Sequence, residues 1–191
     1  MILDKKGGKF YWRDREGRRV MRCNLDDLQL ETLIEAGRGD GDRQDQARWC
    51  IGLVIDPKFG RIYWSQSRRW RVRSYLRANV EIPAGQTAET RSDIEIFFDG
   101  LPEPIDLEFD HKNRLLYWTD RGDPPRGNTV NRASIDNKPV EPEILVAHLM
   151  EGIGVALYVP NDCMFVTDFA GSVCSALLDG SGKTRFPTCT G

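Results

Sequence analysis

Leu116-Tyr117-Trp118-Thr119-Asp120 decides the fold, because the chain repeats it. The matching segments are Phe10-Tyr11-Trp12-Arg13-Asp14, Ile62-Tyr63-Trp64-Ser65-Gln66 and Met164-Phe165-Val166-Thr167-Asp168. With Tyr11, Tyr63, Tyr117 and Phe165 as anchors, the spacings are 52, 54 and 48 residues. These lie slightly above the ~40–50 residues of a four-stranded propeller blade. Asp4, Asp56 and Asp110 stand seven residues before their anchors, and Tyr158 breaks the pattern in the fourth unit. Ile51, Leu53 and Ile55, then Ile105, Leu107 and Phe109, then Ile153, Val155 and Leu157 alternate at period two. That period marks a strand. A second shared phrase runs from Arg22 to Asp26, Arg77 to Glu81, Arg132 to Asp136 and Ser175 to Asp179, and a last apolar run follows in three units.

Each unit therefore reads as four short strands separated by turns rich in Gly, Asp and Asn. The expected fold is all-β, a β-propeller of four-stranded antiparallel blades, about four of them. It is expected as a single domain over 1–191, with blade units at about 1–37, 48–99, 101–149 and 150–191.

Composition narrows the function classes. Hydrophobic residues make up 40% and charged residues 29% of the 191, the range of ordinary globular domains. Lys and Arg number 27 against 29 Asp and Glu, which removes the whole-chain electrostatic case for nucleic acid. No stretch approaches the ~20 apolar residues that span a bilayer, and the N-terminus carries no apolar leader with a cleavage site. The five cysteines (Cys23, Cys50, Cys163, Cys174, Cys189) form no CxxC pair, and the histidines are only His111 and His148. A secreted disulfide framework and a zinc site are both disfavoured, and a cytoplasmic location is expected.

The quoted segments resemble the YWTD repeat of the low-density-lipoprotein-receptor class B type, over nearly the whole chain. Gly100 to Asp106 and Tyr117 to Ala133 are similar to a group of intracellular fungal YWTD proteins without a settled activity. The resemblance implies that the motif Tyr, Trp and Asp pack blade on blade and tie neighbouring strands. Tyr11, Trp12, Tyr63, Trp64, Tyr117 and Trp118 are then core residues. Gln66 in place of Asp, and Val166 in place of Trp, mark two blades held less typically. The family usually closes six blades, and four are present here. The first unit lacks half of its innermost strand, and Pro187 stands where an outer strand is expected, a residue that disfavours a paired strand. Both ends read as breaks in a longer propeller, and an open arc would expose edges that invite self-association.

Several motifs tempt and fail. Gly180-Ser-Gly-Lys-Thr184 has Leu177 where a phosphate-binding loop needs Gly, and lies in a strand-to-strand turn. Gly37-Arg-Gly-Asp-Gly41 lacks the GxGxxG spacing, which also argues against a nicotinamide-dependent dehydrogenase. No GxSxG elbow raises a Ser/His/Asp triad.

One constellation merits a site assignment. In a propeller the loop entering each innermost strand and the loop after the second strand open on one face around the channel. The first set carries Arg48 and Trp49, Glu103 and Asp106, and Glu151; the second carries Arg15, Arg18, Arg19, Arg68, Arg69, Arg71, Arg121 and Arg126. The candidate ligand-binding residues are Arg48, Trp49, Glu103, Asp106, Glu151, Arg121 and Arg126, with no catalytic or metal-ligating residue assigned. Planar guanidiniums suit carboxylate or phosphate groups. The competing reading is that these Glu and Arg pair with each other on a solvated face. The expected function is a non-catalytic binding module that takes a protein or small acidic ligand at the channel mouth, without a cofactor. The alternatives are an enzyme with a channel site and a truncated copy without function. The enzyme would be a lactonase- or esterase-like hydrolase with carboxylate-held Ca²⁺, or a cofactor-free biosynthetic cyclisation catalyst.

Overall fold

A computed structural model describes residues 1–37, 49–67, 73–136 and 141–186. Among the described residues sixteen strands are formed: β1 (Ile2–Asp4), β2 (Lys9–Asp14), β3 (Arg19–Asn24), β4 (Leu30–Glu35), β5 (Cys50–Asp56), β6 (Arg61–Ser67), β7 (Arg73–Asn79), β8 (Glu95–Leu101), β9 (Pro104–Asp110), β10 (Leu115–Asp120), β11 (Thr129–Ser134), β12 (Glu143–Val146), β13 (Gly152–Tyr158), β14 (Cys163–Asp168), β15 (Val173–Leu177) and β16 (Thr184–Arg185). They make four four-stranded sheets, each joining strands in chain order, and the pairings resolved strand by strand are antiparallel. A 3-10 turn at Val159–Asn161 connects β13 to β14 in the fourth. Such consecutive antiparallel blades are the units of a β-propeller. The innermost strand is three residues long in the first sheet and seven in each of the others. The expected lack of an outer strand in the fourth unit is met in part: β16 is a strand of two residues, and Pro187 lies outside the described residues.

The chain divides into two compact units, Met1–Gly100 and Leu101–Gly191. In the first, Tyr11, Val20, Leu33 and Ile34 pack with Cys50, Leu53, Ile55, Ile62, Trp64 and Leu76. In the second, Tyr117, Val130 and Val146 pack with Val155, Met164, Val166 and Ala176. Within each unit Tyr11 and Tyr117 face the following sheet, and Trp64 and Val166, at the motif Trp position, face the preceding one, as side-chain alternation along a strand dictates. Tyr11, Tyr63, Trp64, Tyr117 and Trp118 are all buried. Trp12 is half-buried and stacks on Phe10 at 5.7 Å.

The remaining motif residues are turn and bulge chemistry. Asp110 Oδ1 accepts hydrogen bonds from the Lys112 and Asn113 nitrogens at 2.9 and 3.1 Å, closing the β9–β10 turn, and Asp4 accepts from Gly7 N at 2.9 Å. These are Asx turns, in which a short carboxylate replaces a backbone acceptor. The hydroxyl position of the motif serves the innermost strand. Ser65 Oγ accepts from Gly52 N at 2.6 Å, Thr119 Oγ1 from Asp106 N at 3.2 Å and Thr167 Oγ1 from Gly154 N at 3.1 Å. Each lies where the pairing of the first two strands shifts register, so the hydroxyl satisfies an N–H that the bulge takes out of the ladder.

Candidate functional site

The second unit holds most of the assigned residues. Asp120, the last residue of the motif, ends β10 and accepts backbone hydrogen bonds from Glu103 and Gly122, both at 2.9 Å on Oδ1. It therefore joins the loop that enters β9 to the loop that leaves β10. Asp168 does the same in the fourth sheet, accepting from Ser172 N at 3.0 Å and Met150 N at 3.3 Å. Arg121 N reinforces the junction by donating to Glu103 O at 3.0 Å.

Within this frame Arg121 donates to Glu103 Oε1 at 2.6 Å, with side chains 34% and 20% exposed. Arg126 donates to Glu141 Oε1, and both side chains are exposed, at 58% and 68%. The structure thus brings Glu103 and Arg121 together, whereas Arg126 turns to a carboxylate outside the assigned set. Asp106 Oδ2 accepts from Val155 N at 3.2 Å, spanning from β9 to β13. Beside it, Thr119 Oγ1 donates to Ile153 O at 3.0 Å. Asp106 is therefore committed to joining the third and fourth sheets. Glu151 is exposed, with a left-handed backbone and its N–H held by Asn128 Oδ1 at 2.9 Å. Glu103, Asp106 and Glu151 do not form a three-carboxylate cluster: among the described residues no three of His, Cys, Asp and Glu are grouped as metal ligands are.

In the first unit Trp49 lies under the guanidinium of Arg15, which sits 4.0 Å from its ring centre, a cation–π contact. Arg48 lies outside the described residues, as do Arg68, Arg69 and Arg71. Both histidines are exposed.

The structure adds residues that repeat matching missed. Glu108, on β9, is half-buried, and burial followed by repulsion from Asp106 pushes its carboxyl up to about 7. A cleft of about 60 Å³ opens beside Arg126. Leu101, Pro102, Trp118, Pro142 and Ile144 give it apolar walls, and Asp120, Asn131, Arg126 and Glu141 supply its polar groups. Glu141 stands before β12, where the units share no phrase, so the sequence carried no signal for it.

The loop bearing Arg126 is tightly folded. Gly127 N donates to Asp123 O at 2.9 Å, and a Cβ on Gly127 would meet Gly122 O at 1.9 Å. A Cβ on Gly122 would meet Pro102 Cβ at 2.4 Å. Glycine at both positions lets one backbone pass against another.

No protein-family model matches the chain. Over 96% of its length it is 40% identical to low-density lipoprotein receptor-related protein 1 of Pyricularia oryzae, of which it covers 62%. Over 97% it is 38% identical to 3-hydroxyacyl-CoA dehydrogenase-like protein LAM1 of Cochliobolus heterostrophus, of which it covers 42%. The chain thus spans roughly two-fifths to three-fifths of these curated relatives. Among solved structures it is similar to a chain of a nidogen/laminin complex, at TM-score 0.71 and 16% identity over 96% of this chain and 63% of that one. It is also similar to the putative TolB of Agrobacterium tumefaciens, at TM-score 0.67 and 9% identity over 96% of this chain and 62% of that one.

Proposed function

From the premise that this chain is a YWTD-repeat β-propeller chain, we propose that it is a non-catalytic binding module whose channel-mouth loops hold a protein or a small acidic ligand. The observation that carries this reading is the pair of loops joined by Asp120, which presents Arg121, Arg126 and their carboxylate partners on a fixed backbone beside a cleft. Preorganised donors of this kind reduce the ordering cost of binding. The Asp, Thr and aromatic residues of the repeat are spent on structure, which leaves the loop charges as recognition groups. The nidogen/laminin structure offers an analogy, since the similar chain there comes from a complex of two proteins. Cys23, Cys50, Cys163 and Cys174 are free thiols, which supports a reducing compartment such as the cytoplasm.

The test is selection of random displayed peptides against the full chain, followed by calorimetric titration of the enriched sequence. Binding that falls in Arg121→Ala or Arg126→Ala, with unchanged circular dichroism, supports the reading. Failure to enrich a sequence, or enrichment indifferent to both variants, overturns it.

A second reading, an enzyme using a channel carboxyl, is favoured by one observation: Glu108 is raised to about 7 beside Asp106, the range suited to a general acid or base. Ester or lactone hydrolysis by the chain that disappears in Glu108→Gln would favour this reading over the first.

A further inference from the structure

Inside each unit the tyrosine face of one sheet meets a receiving face of the next, and both kinds of face occur once more on the chain with exposed apolar side chains. The receiving face is Ile62, Trp64, Leu76 and Ala78 in the second sheet, and Met164, Val166 and Ala176 in the fourth. In the first sheet Phe10, Trp12, Met21 and Cys23 hold those positions, Phe10 pairing with Cys23 and Trp12 with Met21. The Phe10 row continues to Leu3 and Leu30, which are 49% and 66% exposed. The tyrosine face is repeated in the fourth sheet, where Phe165, Val173, Leu177 and Phe186 are 40%, 39%, 41% and 43% exposed. The register sets Phe165 between Ala156 and Ser175, Leu177 beside Cys163 and Val173 beside Thr167. None of the side chains named on these two faces is charged, in a chain with 29% charged residues.

We propose that a second copy of this chain docks head to tail, the Trp12 face of its first sheet against the Phe165 face of this chain's fourth. Faces of the same kind already mate where Tyr11 packs with Trp64 and Tyr117 with Val166, so the chain carries its own complement. Two uncharged faces close without stripping water from an ion. The polar tie of the internal contacts is absent as well. Arg22 reaches Glu81 at 2.6 Å and Arg132 reaches Leu178 O at 2.9 Å, each from a tyrosine face to the end of the next sheet's matching phrase. The fourth unit has Ser175 at the Arg position and Phe165 at the Tyr position, so its face closes by apolar burial and asks for no acceptor opposite. Each face offers about ten residues, against the ~20–30 a side of a standard interface, so the contact is weak and follows concentration. Because the two patches differ, a copy blocked at one still offers the other.

The experiment is sedimentation velocity on the full chain over a concentration series, with two double variants whose circular dichroism matches the parent. Phe165→Thr with Leu177→Lys blocks the fourth-sheet face, and Leu3→Lys with Leu30→Lys blocks the first-sheet face. Each alone is expected to stay at 21.8 kDa. An equimolar mixture is expected to form a species of twice that mass and to stop there, because each variant keeps the face that the other lacks. Self-association of the Leu3/Leu30 variant alone would mean that two fourth-sheet faces meet each other, and overturns the proposal. A mixture that sediments as monomers, or a parent chain that does not associate, overturns it too. Ser175→Arg gives a measurement with the opposite sign. The new guanidinium should reach Leu25 O or Asp26 of the second copy, as Arg22 reaches Glu81, and tighten association about threefold. Asp26→Asn should cancel that gain. Weaker association in Ser175→Arg, the result of placing a charge in an apolar contact of any other geometry, would overturn the head-to-tail arrangement. The contact uses none of the channel-mouth residues, so the binding-module reading stands or falls separately.

Discussion

Asp120 accepts the Glu103 backbone N–H at 2.9 Å, so the last residue of the third aromatic motif holds a loop seventeen positions earlier in the chain. The same Oδ1 takes Gly122 N at 2.9 Å, and the residue is 1% exposed. Removing the acceptor leaves two backbone donors unsatisfied. Asp120→Ala should therefore lose about 2–3 kcal/mol in urea denaturation. Asp120→Asn keeps an oxygen at that place and should lose about half as much. Equal losses would mean that the negative charge, rather than the acceptor, holds the loops.

Arg22 and Glu81 make the corresponding link in the first unit. Arg22 Nη1 and Nη2 donate to Glu81 Oε1 and Oε2 at 2.6 and 2.9 Å, from the first sheet to the residues after β7. The hydrogen bond from Arg22 is the main cause holding the Glu81 carboxyl below its usual range. A lowered folded-state pKa gives stability above the unfolded value of about 4.3, lost as pH falls through the folded one. Glu81→Gln should flatten the acid side of a melting-temperature profile below about pH 5. Because the Glu81 side chain is 75% exposed, the loss at neutral pH should stay under about 1 kcal/mol. An unchanged acid limb would show that the pair does not form in solution.

Glu108 has the opposite sign. Burial and the neighbouring Asp106 raise its carboxyl to about 7, so the folded chain holds that proton more tightly than the unfolded chain. The stability it brings is complete below the unfolded value of about 4.3 and is lost as pH rises through 7. Glu108→Gln should be nearly neutral at pH 4.5 and stabilising by on the order of 2 kcal/mol at pH 8. Denaturant titrations at the two pH values check this, and a pH-independent difference would refute it.

The aromatic core was legible because the same residue types recur at matched offsets and alternation assigns each to one face of a strand. Tyr11 and Tyr117 face the next sheet in the chain, as the repeat requires. Phe165 matches them in sequence yet is 40% exposed, on the face of β14 opposite Met164 and Val166, which pack in the core of the second unit. The pairing of mouth loops was legible as a shared face, and Glu103 with Arg121 realises it. Which acid each Arg takes was not legible, since Glu141 belongs to a segment that no other unit resembles. Arg91 was missed for the same reason. Its side chain is fully buried and donates to Leu33 O and Asn79 O at 2.8 and 2.6 Å, but it sits in the connection between β7 and β8, without a counterpart in the other units.

Gly127 sets the shape of the loop that carries Arg126. A methyl group there would lie 1.9 Å from Gly122 O, a contact with backbone that a side-chain rotation cannot relieve. Gly127→Ala should destabilise by about 1–3 kcal/mol, as overpacking does, and weaken acidic peptides through displacement of Arg126. Gly85 is a glycine outside this loop, with open space around its Cβ but a φ of +77°. Gly85→Ala should carry a conformational cost of about 1 kcal/mol and leave peptide binding intact. Chemical denaturation and calorimetry on the two variants distinguish the outcomes; equal effects on binding would remove the loop from the site.

The outer face of the fourth sheet predicts how the isolated chain behaves in solution. Phe165, Val173, Leu177 and Phe186 are 40%, 39%, 41% and 43% exposed, and the rings of Phe165 and Phe186 stack at 6.4 Å. The register pairs Phe165 with Ser175 and Cys163 with Leu177, which puts these side chains on the face opposite Met164, Val166 and Ala176. Contiguous apolar surface of this kind promotes association, and the two-residue β16 leaves little edge beyond it to protect the sheet. The weight-average mass from light scattering should therefore climb above 21.8 kDa as concentration rises. Phe165→Thr combined with Leu177→Lys should hold the mass at the monomer value. Both side chains point away from the buried face, so the double variant should lose less than about 1 kcal/mol of stability. A concentration dependence shared by both proteins would place the contact elsewhere, on the exposed Leu28 and Leu30 of the first sheet's border, and Leu30→Lys would then be the variant that abolishes it.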